Sequence, residues 1–273
     1  MGEQRFDRAV DDVGNLVEIG HVNVNVDDQQ AATDFYVTGL GLTRDPYLMT
    51  GTNNMWVNLG RHQFHLPTAP RGQRLHGVTG IVVPDLDELR GRLAAAKLKM
   101  REVEGGVEVT SPWGNRIRAH APDPRFGPVT LALAYVEHDV PPGAAQPIAD
   151  FYREIIGAPA TVSDRAAHVR AGWQELIFRE SDASIGAYEG HHIQVYIADF
   201  STPHRKLLER GLIAAENNAH EYRFIDIAGR FTLEHEVRST RHPLFGRTLV
   251  NRDPAINPGT YVTGREAFAW ASG

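Results

Sequence analysis

A chain that repeats one strand–helix–strand plan must bury the open faces of those units against each other, and this sequence carries such a plan four times. The odd copies are the clearest. Residues 34–42 read DFYVTGLGL and residues 150–158 read DFYREIIGA. Phe35 and Phe151 stand 116 residues apart, each followed by Tyr and, six residues on, by Gly41 or Gly157. That pattern predicts an amphipathic helix that buries its aromatic pair and stops at a glycine. The even copies resemble each other instead: VTGIVVPDLDELRGRL from Val78 matches HIQVYIADFSTPHRKLL from His192 at an offset of 114. In both, a strand runs to an aspartate, Asp85 or Asp199, that reads as a helix N-cap. SPWGNR before Ile117 and DIAGR before Phe231 read as polar turns between two strands.

The expected architecture is therefore α+β, with four βαβββ modules forming two cupped mixed β-sheet barrels with flanking helices. The modules are placed at 16–68 and 74–122, then at 128–186 and 190–240, with a C-terminal extension over 241–273. That extension, rich in arginine, is expected to pack on the barrel through Pro243, Leu244 and Phe245.

Composition narrows the partners. A net charge of -6 and the absence of any basic run speak against nucleic acid and against an anionic membrane surface. The first residues hold no apolar stretch of signal-peptide type, and no window approaches the roughly 20 apolar residues of a membrane span. A cytoplasmic protein with a small-molecule substrate is expected, and homo-oligomerisation stays open. With no cysteine and 13 histidines, a metal would have to be held by histidine and carboxylate.

GHVNVNVDD followed by the DFY helix, the VPDLDEL turn and SPWGNRI together resemble the vicinal-oxygen-chelate superfamily, over residues 18 to 238. That superfamily includes glyoxalase I, extradiol dioxygenases and bleomycin- or fosfomycin-resistance proteins. The resemblance implies paired modules cupped around a metal, with ligands on the first and last strand of each module.

Alternation along the strands tests those positions, because successive side chains face opposite sides of a sheet. Val22, Val24 and Val26 form one face of the first strand, and His21, Asn23 and Asn25 the other. In the fourth module Ile193, Val195 and Ile197 oppose His192, Gln194 and Tyr196. The second module presents Val78, Gly80 and Val82 there instead, and the third, TLALAYV, is apolar on both faces apart from Thr130 and Tyr135. On the last strands the resemblance implies His65 and Glu234 as ligands, 44 residues from His21 and 42 from His192, with Glu236 as the substitute if the turn alignment slips by two. The second module has Arg118 there, a permanent cation and a poor ligand. Glu175 of the third module lacks a histidine partner on its first strand.

The ligand set His21, His65, His192 and Glu234 is complete only if module 1 faces module 4, and that pairing is expected. Such a set suits one divalent transition metal, Fe, Zn, Ni, Co or Mn. His220 and Tyr222 are the acid–base candidates beside Glu234, with His168 a further one on the third module. The implied activity is a metal-dependent dioxygenase acting on a small substrate with adjacent oxygens. A glyoxalase-like lyase or isomerase and a metal-free small-molecule binder are the alternatives. A third histidine ligand weighs against the dioxygenase, because it fills a position that substrate or oxygen would need.

Overall fold

The computed structural model describes residues 14–48 and 53–252. Sixteen strands among these residues form two eight-stranded mixed sheets. Module 1 supplies β1 (Leu16–Asn23), β2 (Thr43–Arg44), β3 (Asn54–Leu59) and β4 (His62–Pro67). Module 2 supplies β5 (Gly77–Val82), β6 (Met100–Val103), β7 (Gly106–Thr110) and β8 (Arg116–His120). Module 3 gives β9 (Ala132–Val140), β10 (Ala160–Ser163), β11 (Ala166–Ala171) and β12 (Gln174–Glu180), and module 4 gives β13 (His192–Ile197), β14 (Ile213–Asn218), β15 (Glu221–Ile227) and β16 (Phe231–Ser239).

One sheet runs β14-β15-β16-β13-β1-β4-β3-β2 and the other β10-β11-β12-β9-β5-β8-β7-β6. Module 1 is thus paired with module 4, and module 2 with module 3. The two middle modules share one sheet, and the first and last share the other. The sheets are cupped and end on unpaired edges, so the expectation of barrels is corrected to open cups. Each cup is two modules joined by their first strands, which run antiparallel at β1–β13 and β5–β9.

The helices pack where the sequence placed them. α1 (Gln29–Ala32) starts on Asp28, whose carboxylate accepts from Gln30 N and Ala31 N, and it widens into a π-type turn over Thr33–Gly39. Leu40 N closes that turn on Phe35 O at 2.9 Å. Its smaller angular step per residue lets the adjacent Phe35 and Tyr36 both reach the core, where they are fully buried. α3 (Ala145–Phe151) widens likewise over Tyr152–Ile156 and ends at Gly157, whose left-handed φ of 81° only glycine adopts without strain. α2 (Leu86–Ala95) is capped by Asp85 through Asp87 N and Glu88 N, and α4 (Ser201–Glu209) is preceded by Asp199, which accepts from Thr202 N at 3.1 Å. One continuous apolar core runs under both sheets and includes Phe64, Phe178 and Phe224. No helix among the described residues is long and apolar enough to cross a membrane.

After β16 the chain crosses back over the first module. Asn58 Nδ2 donates to Val250 O at 2.8 Å, Gly60 N donates to Asn251 Oδ1 at 3.0 Å, and Arg247 pairs with buried Asp45 at 3.2 Å. Phe245 packs on Tyr196, ring centroids 4.9 Å apart. The remainder of the expected extension, 253–273, lies outside the described residues.

Candidate metal centre

The concave face of the 1–4 sheet is set by strand register. Val22 pairs with Ile193, flanked by His21 opposite Gln194 and Asn23 opposite His192. That register is a local two-fold in which His21 and His192 exchange places, and it brings their ring centroids to 5.7 Å. The parallel partners follow the same symmetry: β4 sets His65 beside Asn23, and β16 sets Glu236 beside Gln194. His65 and Glu236 are therefore the two-fold mates, each 44 residues beyond its module's first-strand histidine.

This register corrects the carboxylate. His21, His192 and Glu236 are all buried, and one ligand atom from each lies within 4.8 Å of the others. Glu236 Oε2 is 3.4 Å from His192 Nε2. Glu234, which the resemblance implied as the ligand, stands beside the triad. Its Oε1 is 3.6 Å from His192 Nδ1, it is part-exposed, and it pairs with Arg223 at 2.6 Å. His65 also neighbours the site, 5.7 Å from His21 ring to ring. Its Nε2, however, is 2.7 Å from Asn54 Oδ1, and its ring stacks on Trp56 at 3.7 Å.

The two acid–base candidates are not brought in. Tyr222 pairs across to Val237, on the face opposite Glu236, and its ring packs against Phe200 and His204 of the helix layer. His220 sits in the turn between β14 and β15, where its N donates to Asn218 Oδ1 at 2.8 Å. The cause is period-two alternation: residues 221 and 223 face the cup, so 222 cannot. Arg223 is the residue of this strand that reaches the site, holding Glu236 Oε2 at 2.5 Å. Arg238 holds Glu236 Oε1 at 2.6 Å. Neither arginine had been singled out, although both fall on the cup face by the same alternation. His168 lies in the other cup, paired with Glu175 at 2.8 Å.

The donor set fits a transition metal. Nε2 of His21 is buried with no hydrogen-bond partner among the described residues, and Nε2 of His192 meets only the Glu236 carboxylate, at 3.4 Å, so both imidazole edges face the triad. Burial drives the His21 pKa well below its ordinary value, against the pull of Glu236, and drives His65 down to about 3. Burial alone would raise the Glu236 carboxyl. The hydrogen bond from His192 and the charges of His21, Arg238 and His192 outweigh it and hold the group well below the usual carboxylate range. Neutral His21 and an ionised carboxylate are the states that ligate, so neither has to lose a proton at neutral pH. The chain end closes one side: Leu244, Arg247 and Leu249 leave a crevice of only about 30 Å³ beside His21 and Arg238.

The second cup shows what replaces this set. Gly80 faces Tyr135, and a Cβ there would lie 2.1 Å from the tyrosine ring. Arg118 holds Glu108 at 2.9 Å, and Arg101 holds the same buried carboxylate at 2.6 Å. A tyrosine ring and a guanidinium thus stand where the first cup has its triad, on the wall of a cavity of about 910 Å³.

Residues 18–125 match the family described as Glyoxalase/Bleomycin resistance protein/Dioxygenase superfamily. Among solved structures, the chain is similar to a candidate dioxygenase from Bacillus subtilis, at 16% identity and a TM-score of 0.61, covering 84% of this chain and 87% of that one. It is also similar to glyoxalase I from Zea mays, at 13% identity and a TM-score of 0.58, over 81% and 92% of the two chains. The cppA protein from Streptococcus pneumoniae shares the fold at 12% identity and a TM-score of 0.55, over 83% and 99%. At these identities the likeness establishes the fold. No curated protein sequence matches the chain.

Proposed function

The chain belongs to the glyoxalase/bleomycin resistance/dioxygenase superfamily, and on that premise we propose that it is a metal-dependent dioxygenase acting on a small substrate with adjacent oxygens. The observation that carries the reading is the triad of His21, His192 and Glu236, with His65 turned away to Asn54. Two histidines and one carboxylate leave several positions on a metal open, the arrangement suited to non-haem iron(II). Once bound, the metal would supply Lewis acidity toward the paired oxygens of the substrate.

The protein's own groups have separable roles. His21 and His192 offer their Nε2 atoms, and Glu236 offers its carboxylate. Arg223 and Arg238 fix that carboxylate from both sides, as outer partners of a ligand do. Their charge also favours a substrate that has lost a proton. Glu234, outside the triad and part-exposed, is the carboxylate left to accept that proton. The folded-back chain end excludes water from the His21 side.

His65 favours a second reading. As the two-fold mate of Glu236, it is one rotation away from being a fourth ligand, and a four-ligand set suits the glyoxalase type of chemistry. The experiment is reconstitution with iron(II) under nitrogen, followed by oxygen uptake with a panel of catechols. Uptake that requires Glu236 and Glu234, with iron bound normally in Glu234→Gln, supports the dioxygenase. Tight zinc or nickel binding without oxygen uptake, but with isomerisation of a thiohemiacetal, would move the assignment to the second reading. Failure to bind any of these ions would sink both and leave a metal-free binder.

A further inference from the structure

Away from the metal cup, a cavity of about 380 Å³ opens between the two sheets. It is lined by His76 ahead of β5, by Tyr188 and His191 ahead of β13, and by Asp226, Arg230 and Phe231 of the β15–β16 hairpin. We propose that this cavity is a second small-molecule site, built for a planar aromatic carboxylate that carries a hydroxyl group at its far end.

The floor asks for a ligand. His191 is 3% exposed and His138, behind it, is fully buried, yet none of their four ring nitrogens has a hydrogen-bond partner among the described residues. The two rings are nearly parallel, 6.2 Å apart. Buried polar atoms in native proteins are almost always paired, so the unpaired nitrogens of His191, the one of the two rings that lines the cavity, point to something that fills it. A neutral imidazole presents one N–H donor and one lone pair, and a hydroxyl group is the smallest partner able to answer either.

The walls and rim define the rest. Tyr188 is locked in place, its hydroxyl donating to His191 O at 2.6 Å and accepting from Glu234 N at 3.2 Å. Phe231 stands on the His138 side, ring centroids 5.7 Å apart. Gly186 lets the 185–188 segment close on His76, because a Cβ there would lie 2.6 Å from the imidazole. These aromatic surfaces suit a flat ring, and the volume is that of a small-ligand pocket. At the rim Arg230 makes no ion pair among the described residues, whereas Asp226 Oδ1 is already bonded to Gly229 N at 2.9 Å. An unpaired guanidinium at the mouth selects a carboxylate. The proposal does not depend on the activity assigned to the metal cup.

The test is calorimetric and NMR titration of the metal-stripped protein with 4-hydroxybenzoate. Saturable binding is expected, unchanged when the protein is loaded with zinc. Benzoate, lacking the hydroxyl, and 4-hydroxybenzamide, lacking the charge, should each bind about tenfold more weakly. Arg230→Gln should weaken 4-hydroxybenzoate by a similar factor and leave 4-hydroxybenzamide unaffected. Ile185→Trp, which fills the cavity from a loop, should abolish binding of both. No saturable binding by the native protein up to about 10 mM would overturn the proposal. So would binding that zinc displaces, which would place the ligand in the metal cup, or an affinity indifferent to Arg230→Gln.

Discussion

The two cups are built from the same module plan and joined by the same antiparallel first-strand pairing, yet one gathers two histidines and a carboxylate and the other carries a tyrosine and an arginine–glutamate cluster on the wall of an open cavity. In the 1–4 cup, histidines on both first strands converge with Glu236, and His21 Nε2 is left without a partner among the described residues. In the 2–3 cup, Gly80 admits the Tyr135 ring, and Arg118 with Arg101 neutralises Glu108. The lesson is that a concave sheet face can balance its charges within itself, as Arg118 and Arg101 do with Glu108, or can gather groups able to hold an ion, as His21, His192 and Glu236 do. Burying the polar set of the first cup without a partner would be costly.

Removing the carboxylate is the sharpest way to break this contrast. Glu236→Gln should lower transition-metal affinity by at least about 100-fold, read by competitive titration with a chelating dye. Arg118→Gln in the other cup should leave the stoichiometry at one metal per chain. Two metals per chain in the native protein would show that the second cup also holds one.

Acid should next probe the buried histidines of the first cup, read through variants of His65. Burial depresses His21 and His65 in the fold, so the unfolded chain takes up their protons first. Stability from this source is intact above the ordinary histidine pKa of about 6.5 and is lost as pH falls from there toward about 3 for His65. Each such histidine contributes a slope approaching about 1.4 kcal/mol per pH unit. Urea midpoints of the metal-free protein at pH 7.5, 6 and 5 should fall accordingly. His65→Gln should flatten the profile, and a profile that stays as steep in that variant would remove His65 from the account.

The arginines should sharpen the comparison further. Arg223→Leu and Arg118→Leu should each destabilise the metal-free protein by about 1–2 kcal/mol, discounted for their part-exposure. Added metal should offset the loss for Arg223→Leu only, because only that cup can replace a guanidinium with a cation. Equal recovery in both variants would contradict the assignment. The smallest effect is expected at His65: His65→Ala should weaken metal by about tenfold, the size of an outer-partner effect. A loss as large as that of Glu236→Gln would make His65 a ligand and favour the glyoxalase-type reading.

Much of this was legible in the chain itself. The repeat, the aspartate caps, the glycine stop at Gly157 and the hydrophobic alternation depend on local spacing, and each has its counterpart in the fold. Alternation also picked out His21 and His192, since identity and parity of position are sequence properties. The choice between Glu234 and Glu236 was recoverable too, had the 44-residue spacing of His21 and His65 been applied to His192. Parity likewise excluded Tyr222 from the cup and admitted Arg223.

The tertiary structure decided what depends on separation in space between residues remote in sequence. The polar faces of modules 1 and 4 had pointed to their pairing, but the register that sets Val22 opposite Ile193, and so brings His21 and His192 together, came only from the antiparallel docking of β1 on β13. That His65 is held by Asn54 and Trp56 is a matter of rotamer and of which neighbour the strand order supplies. The cavity under His191 is shaped by four chain segments that meet only when both sheets are in place. Local sequence sets which face a side chain can take, because backbone geometry is periodic. Packing sets what that side chain meets, because contact energies accrue only after distant strands are brought together.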